Sequence, residues 1–251
     1  MTEETSNAPV TIGLLGSGEF LEWAEVADLW LLAHARADSK RVIVLPTASA
    51  PEGDEVFDRW GSMGVEHYTR LGYEPEVLPL KTREDAGRED LAAELAGARL
   101  VFFSGGNPRH LTDVLRDTPF WRALMEAVGN GTALGGCSAG AAFLGERAPD
   151  SSRQDMSPDV WGPGLTYFPG VDFAPHWDAL DRYVPGLQKF VLDSLTPGAL
   201  HVLLDEDTAM VGDGETWTVM GKGAVTVAHS DVEQVFRAGQ TFSFTEAGRQ
   251  A

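Results

Sequence analysis

The sequence predicts an α/β protein built on a mostly parallel sheet, with an antiparallel β extension towards its C-terminus. Three observations carry this. Through the first half, short apolar segments alternate with longer stretches of helical periodicity. Each apolar segment stops in a loop rich in Gly, Ser, Thr or Pro. Beyond residue 200, short apolar runs follow one another closely, joined by turns such as Gly212-Asp213-Gly214. Parallel strands need long crossovers and are covered on both faces, so they read as unbroken apolar runs. Closely spaced runs joined by tight turns read as antiparallel.

The elements follow in order. A strand is predicted over 10–15, closed by Gly16-Ser17-Gly18-Glu19, and a helix over 21–37. The run Arg-Val-Ile-Val-Leu at 41–45 is the second strand, closed by Pro46-Thr47-Ala48-Ser49-Ala50-Pro51. A helix over 55–71, a strand over 76–80 and an acidic amphipathic helix over 84–96 come next. The fourth strand, 100–103, ends in Ser104-Gly105-Gly106-Asn107. A helix over 119–128 leads to a strand ending at Cys137. Residues 149–175, rich in Pro, Gly, Asp and aromatics, read as a long structured loop, and 182–194 as containing a helix. Strands are predicted over 201–204, 209–211, 216–220 and 224–228. No linker divides the chain, so 1–251 reads as one domain with flexible ends at 1–8 and 246–251. Ligands of parallel sheets gather beyond the carboxyl ends of the strands. The loops after Leu15, Leu45, Phe103 and Cys137 should therefore share one rim.

Composition narrows the function. The 251 residues are 43% hydrophobic and 23% charged, enough for one large core. A formal charge of −19 argues against binding a phosphate backbone and is compatible with attracting cationic ligands. No apolar run is long enough to span a membrane, so no membrane association is expected. The polar start of the chain has no secretory pattern, and a single cysteine fits a reducing compartment. A cytoplasmic location is the expectation.

The chemistry centres on Ala133-Leu134-Gly135-Gly136-Cys137-Ser138-Ala139-Gly140-Ala141-Ala142. A β-prone segment runs into Gly-x-Ser-x-Gly and then into small helix formers. A strand, a sharp turn and a helix in that order lift the central hydroxyl above the sheet, beside the unpaired N–H groups of the helix start. Centring the pattern on Cys137 instead loses the second glycine, so Ser138 is the candidate nucleophile. The plainer reading makes Ser138 a helix cap in a glycine-rich turn.

A serine nucleophile needs a base and a group to orient that base. Of six histidines, His34, His67 and His110 lie in helical stretches and suit capping or surface roles. His201 sits in a strand pattern and His229 at a strand end. His176 lies in the loop-like Asp172-Phe173-Ala174-Pro175-His176-Trp177-Asp178, where proline restrains the backbone ahead of the imidazole. A packed loop histidine is the alternative there. For the orienting carboxylate, Asp172, Asp178 and the strand-end cluster Asp205-Glu206-Asp207 all qualify. An oxyanion hole needs two convergent N–H donors. The Ala139 amide is the natural first, and a glycine amide of Ser104-Gly105-Gly106-Asn107 the second.

Four motifs stand in a recognisable order: Phe103-Ser104-Gly105-Gly106-Asn107 with Leu111, Gly136-Cys137-Ser138-Ala139-Gly140-Ala141, Pro175-His176, and Leu204-Asp205-Glu206-Asp207-Thr208-Ala209. Together, over 10–227, they resemble the serine peptidase family of dipeptidase E (α-aspartyl dipeptidase) and cyanophycinase. The resemblance implies a class I glutamine amidotransferase-like fold, a flavodoxin-like three-layer sandwich. It implies Ser138 as nucleophile, His176 as general base and Glu206 as orienting carboxylate. Gly106 and Ala139 would form the oxyanion hole, with Asn107 binding substrate; Asp155, in a segment resembling dipeptidase E, would bind substrate or act electrostatically at the triad, a solvated loop aspartate being the alternative. The substrate would be a small peptide or isopeptide, with no metal or organic cofactor; the oligomeric state stays open, a homodimer among the options. The sequence departs from the family pattern at Cys137 and at Trp177-Asp178, so specificity for N-terminal aspartate or for β-aspartyl-arginine polymer does not carry over. Three competing readings are a non-catalytic binding module, a reactive Cys137, and a metal held by His176, Asp178 and Asp181.

Overall fold

The computed structural model describes residues 9–153, 156–194, 196, 198–229 and 232–249. The strands are β1 (Ile12–Leu15), β2 (Arg41–Leu45), β3 (Glu74–Val77), β4 (Leu100–Phe103), β5 (Ala133–Cys137), β6 (Arg147–Pro149) and β7 (Trp161–Pro163). They continue as β8 (Val171–Ala174), β9 (Leu200–Leu204), β10 (Thr208–Gly212), β11 (Thr216–Gly221), β12 (Ala224–His229), β13 (Val232–Arg237) and β14 (Thr241–Ser243). The helices are α1 (Glu25–His34), α2 (Asp54–Arg70), α3 (Arg83–Ala86), α4 (Glu89–Ala93), α5 (Pro108–Leu115), α6 (Pro119–Gly129), α7 (Ala139–Ala142), α8 (Leu180–Tyr183), α9 (Leu187–Asp193) and α10 (Phe244–Arg249).

The predicted α/β class holds. An eight-stranded sheet runs in the order β14-β11-β10-β1-β5-β4-β2-β3, and every pairing from β1 through β3 is parallel. Alternate residues of its strands serve two different cores. Ile12, Ile43, Val101, Leu134 and Met210 face one apolar cluster; Leu15, Val42, Val44, Leu100, Phe102 and Val211 face the other. That period of two, with both faces covered, is why the central strands β1, β2 and β4 are almost wholly apolar. Register puts Leu15 opposite Cys137, Cys137's neighbour Gly136 opposite Phe103, and Phe103 opposite Leu45. The four loops expected on one rim do leave the sheet together.

The C-terminal extension divides between two sheets. β10, β11 and β14 extend the main sheet antiparallel from β1. β9, β12 and β13 build a second sheet with β8, in which β8 and β9 are parallel. β8 lies inside the stretch read as loop. Its four residues, flanked by Gly170 and Pro175, are too short for a periodic signal, and pairing to β9 alone makes them a strand. β13 carries no sequence signal for a related reason: as an edge strand it leaves Val232, Glu233, Val235 and Arg237 exposed and buries no continuous apolar face. The third strand sits at Glu74–Val77, not 76–80, because register with Arg41–Val44 ends the pairing at Val77. The helix expected over 84–96 breaks into α3 and α4 at Gly87-Arg88, after a Thr82/Asp85 capping box has started α3. The last described residues form α10. Among the described residues no helix is long and apolar enough to cross a membrane.

Candidate active site

β5 delivers Ser138 to the rim in a strained conformation, φ 52° and ψ −109°. Side chains other than glycine rarely adopt such a backbone, and it costs on the order of 1–3 kcal/mol. The flanking glycines explain how the turn closes. A Cβ on Gly136 would lie 1.9 Å from the Gly140 carbonyl oxygen, and one on Gly140 would lie 2.3 Å from that of Phe103. The helix that follows is a single turn, α7, so its contribution is its free first N–H groups rather than a long dipole.

The second sheet brings the partners. β8 and β9 are parallel, with Ala174 opposite Leu203. Both strands therefore end at the same place, and His176 and Glu206, each just beyond its strand, emerge side by side. The loop carrying Glu206 then enters β10, which begins beside Leu15 at the rim of the main sheet. His176 Nε2 lies 2.8 Å from Ser138 Oγ, and His176 Nδ1 lies 3.0 Å from Glu206 Oε1. His176 itself takes left-handed backbone angles, φ 57° and ψ 27°.

Glu206 is held by Tyr183 and Arg182, which the sequence did not single out, and by Asp178, which it offered in other roles. Tyr183 donates its hydroxyl to Glu206 Oε1 at 2.6 Å, and Arg182 donates to Oε2 at 3.1 Å. Asp178 accepts the Glu206 backbone N–H at 2.7 Å. Partial burial works against the Glu206 charge, but the hydrogen bonds from Tyr183 and His176 and the charge of Arg182 outweigh it. Its carboxyl accordingly sits below the usual glutamate value. The same bond pushes the Tyr183 hydroxyl up to about 12. The Tyr183 ring also meets the His176 ring edge-on, with centroids 5.7 Å apart.

The other carboxylates are engaged elsewhere. Asp172 binds Arg147 from the interior of the second sheet. Asp205 accepts the Ala224 N–H, and Asp207 pairs with Lys222. Asp178 and Asp181 accept backbone N–H groups of Glu206 and Gln188, so they do not converge with His176 on a metal. Among the described residues, no three His, Cys, Asp or Glu side chains do so.

The loop after β4 places Gly105 against Ser138: a Cβ built on Gly105 would lie 3.8 Å from Ser138 Oγ. Gly106 adopts φ 142° and packs onto the Ala48 backbone, 2.3 Å from where its own Cβ would be. Only glycine fits there. Ala139, fully buried, starts α7 directly after Ser138. Asn107, expected to bind substrate, has its side chain engaged within the fold. Its carbonyl caps α5 at the Arg109 and His110 amides, and its amide donates to Asp150. Asp155 lies outside the described residues. Cys137 is fully buried, and desolvation, with the charge of Glu19, pushes its thiol well above the usual value. Such a thiol is a poor nucleophile. His67, expected near the surface, is buried against Asp28 at 2.8 Å.

With the geometry in place, comparison with known proteins adds a family. The model of peptidase family S51 matches residues 12–220. The cyanophycinase of Synechococcus elongatus is 31% identical over 196 residues, which make up 73% of this chain and 57% of that protein. The chain thus spans under three fifths of that relative's length. The cyanophycinase of Nostoc sp. (strain PCC 7120) is 28% identical over 239 residues, covering 90% of this chain and 74% of that one. Among solved structures, a peptidase from an acI-B1 Actinobacterium superposes with a TM-score of 0.85 at 31% identity, covering 95% of this chain and 98% of its own. A Listeria monocytogenes EGD-e chain, 18% identical with a TM-score of 0.61, shares the fold.

Proposed function

The chain belongs to peptidase family S51, and from that premise we propose that it is a serine hydrolase cleaving a small peptide or isopeptide amide through an acyl-enzyme on Ser138. The observation that carries this reading is the unbroken line from Ser138 Oγ through the His176 ring to Glu206, 2.8 Å and 3.0 Å long. Glu206 keeps the proton of the resting imidazole on Nδ1, leaving Nε2 to accept the hydroxyl proton as Ser138 Oγ bonds to the carbonyl carbon. The oxyanion so formed is held by the Gly106 and Ala139 N–H groups. The C–N bond then breaks, and His176 returns the proton to the departing amine. Water, deprotonated by the same imidazole, attacks the acyl carbon; Ser138 leaves and recovers its proton. Every step uses groups of the chain itself.

The cyanophycinase relatives and the actinobacterial peptidase support a peptide or isopeptide substrate, and the buried lone thiol fits a cytoplasmic setting. The test is covalent labelling by a fluorophosphonate. Wild type should label stoichiometrically, and Ser138→Ala, equally folded, should not. Labelled Ser138→Ala, or a folded wild type that stays unlabelled, would overturn the reading, the latter in favour of a binding module. A screen of wild type against Asp-Xaa dipeptides and β-Asp-Arg isopeptides then identifies the amide.

A further inference from the structure

We propose that Glu19 is a positioning residue for the oxyanion hole: its buried carboxyl holds the Gly105 N–H and so fixes the Ser104–Gly105 peptide, which sets the direction of the next peptide so that the Gly106 N–H faces the reacting carbonyl. This rests on the serine-hydrolase reading above and names a residue it does not use.

Glu19 is only 4% exposed, and among the described residues it makes no ion pair. A carboxyl buried without a countercharge lowers stability, and packing alone does not call for one. Its Oε1 accepts the Gly105 N–H at 2.8 Å. One step along the chain, the Asn107 N–H donates to the Ala48 carbonyl at 2.8 Å. Two amides of the loop are therefore clamped, one on each side of Gly106. The Gly106 N–H between them donates to no acceptor among the described residues. Gly106 cannot relax towards Ala48, because it already packs face to face on that peptide. Within 104–107, the amide left for a ligand is the one that the clamps aim.

Glu19 is itself rigidly set. It sits in the turn after β1, where Phe20 holds a positive φ of 66° and packs on His67, Tyr68 and Phe102. The same turn reaches the triad loop, since Ser17 Oγ accepts the Asp207 N–H at 3.2 Å. Its carboxyl also acts on the Cys137 thiol beneath Ser138. One turn thus connects the loops that carry the nucleophile, the oxyanion amide and the orienting carboxylate. A negative charge here opposes a developing oxyanion, so the service of Glu19 is geometric: it supplies an acceptor, not a charge.

That sign makes the test specific. Glu19→Met keeps the length and removes the acceptor; Glu19→Gln keeps the acceptor and removes the charge. Inactivation of the full chain by a fluorophosphonate is measured for both, because the phosphoryl oxygen occupies the oxyanion position as the Ser138–phosphorus bond forms and fluoride leaves. Glu19→Met should react about 10–100-fold more slowly, through the inactivation step and not through initial binding, given what a misplaced donor costs. Glu19→Gln should stay within about 3-fold of wild type or exceed it. Circular dichroism confirms that each variant is folded. Glu19→Met reacting as fast as a labelled wild type overturns the inference alone. Glu19→Gln as slow as Glu19→Met also overturns it, by making charge the relevant property. A wild type that fails to label overturns the hydrolase reading, and this inference with it.

Discussion

Replacing Glu206 by glutamine tests the triad through the position of one proton. In the wild type, Glu206 Oε1 faces His176 Nδ1 and Oε2 faces the Arg182 guanidinium. A glutamine has one oxygen and one NH2 to offer these positions. Arg182 can only donate, whereas the Tyr183 hydroxyl beside Oε1 can turn to accept, so the oxygen is drawn to the Arg182 side and the NH2 is left facing Nδ1. The ring must then accept at Nδ1 and carry its proton on Nε2, where it can no longer take one from Ser138 Oγ. A fully locked wrong tautomer costs about 10⁴ in rate in the chymotrypsin-type triad. Here Arg182 is 65% exposed and free to swing away, so the lock is weaker. The expected loss is about 10²–10³-fold, equivalent to roughly 3–4 kcal/mol of barrier. The assay is the second-order rate of fluorophosphonate inactivation at fixed pH, with unfolding curves confirming an intact fold. Glu206→Gln reacting within about 3-fold of wild type would refute the tautomer argument.

Three further outcomes follow. Tyr183→Phe removes a hydrogen bond to a charged group on a side chain that is 61% exposed; solvent reduces its value to about 1 kcal/mol or less, or roughly 2 °C in Tm. Glu206's folded value is lowered, so its contribution is complete above the unfolded value of 4.5 and disappears as pH falls through the folded one. Tyr183's is raised, so its contribution is complete below 10.0 and disappears as pH rises towards 12. The Tm difference between wild type and Tyr183→Phe should therefore be greatest between these limits and shrink on both sides; a difference flat in pH contradicts the bond. Gly140→Ala places a methyl 2.3 Å from the Phe103 carbonyl oxygen, a backbone atom that cannot yield, and should lower Tm and abolish labelling together. Cys137 should resist iodoacetamide in the native protein and react once denaturant unfolds it, and Cys137→Ala should label at the wild-type rate. Rapid native alkylation would contradict the buried setting.

What the sequence determined by itself is what is local. The main-sheet strands announced themselves because burial on both faces requires continuous apolar runs, and the elbow did so because only glycine fits on either side of Ser138. The rim followed, since parallel strands share a carboxyl end. What only the tertiary structure decided is which distant groups meet there. Asp172, Asp178, Asp205, Glu206 and Asp207 are chemically near-equivalent on paper. The pairing of β8 with β9 puts Glu206 on His176 and sends Asp172 to Arg147, and a slip of one residue would reverse those faces. The roles of Tyr183, Arg182 and Glu19, and the use of Asn107 as a helix cap, have the same origin. Hydrogen bonds between residues far apart in sequence form only when packing fixes both ends, and composition and periodicity do not encode that in advance; the family motifs alone singled out Glu206.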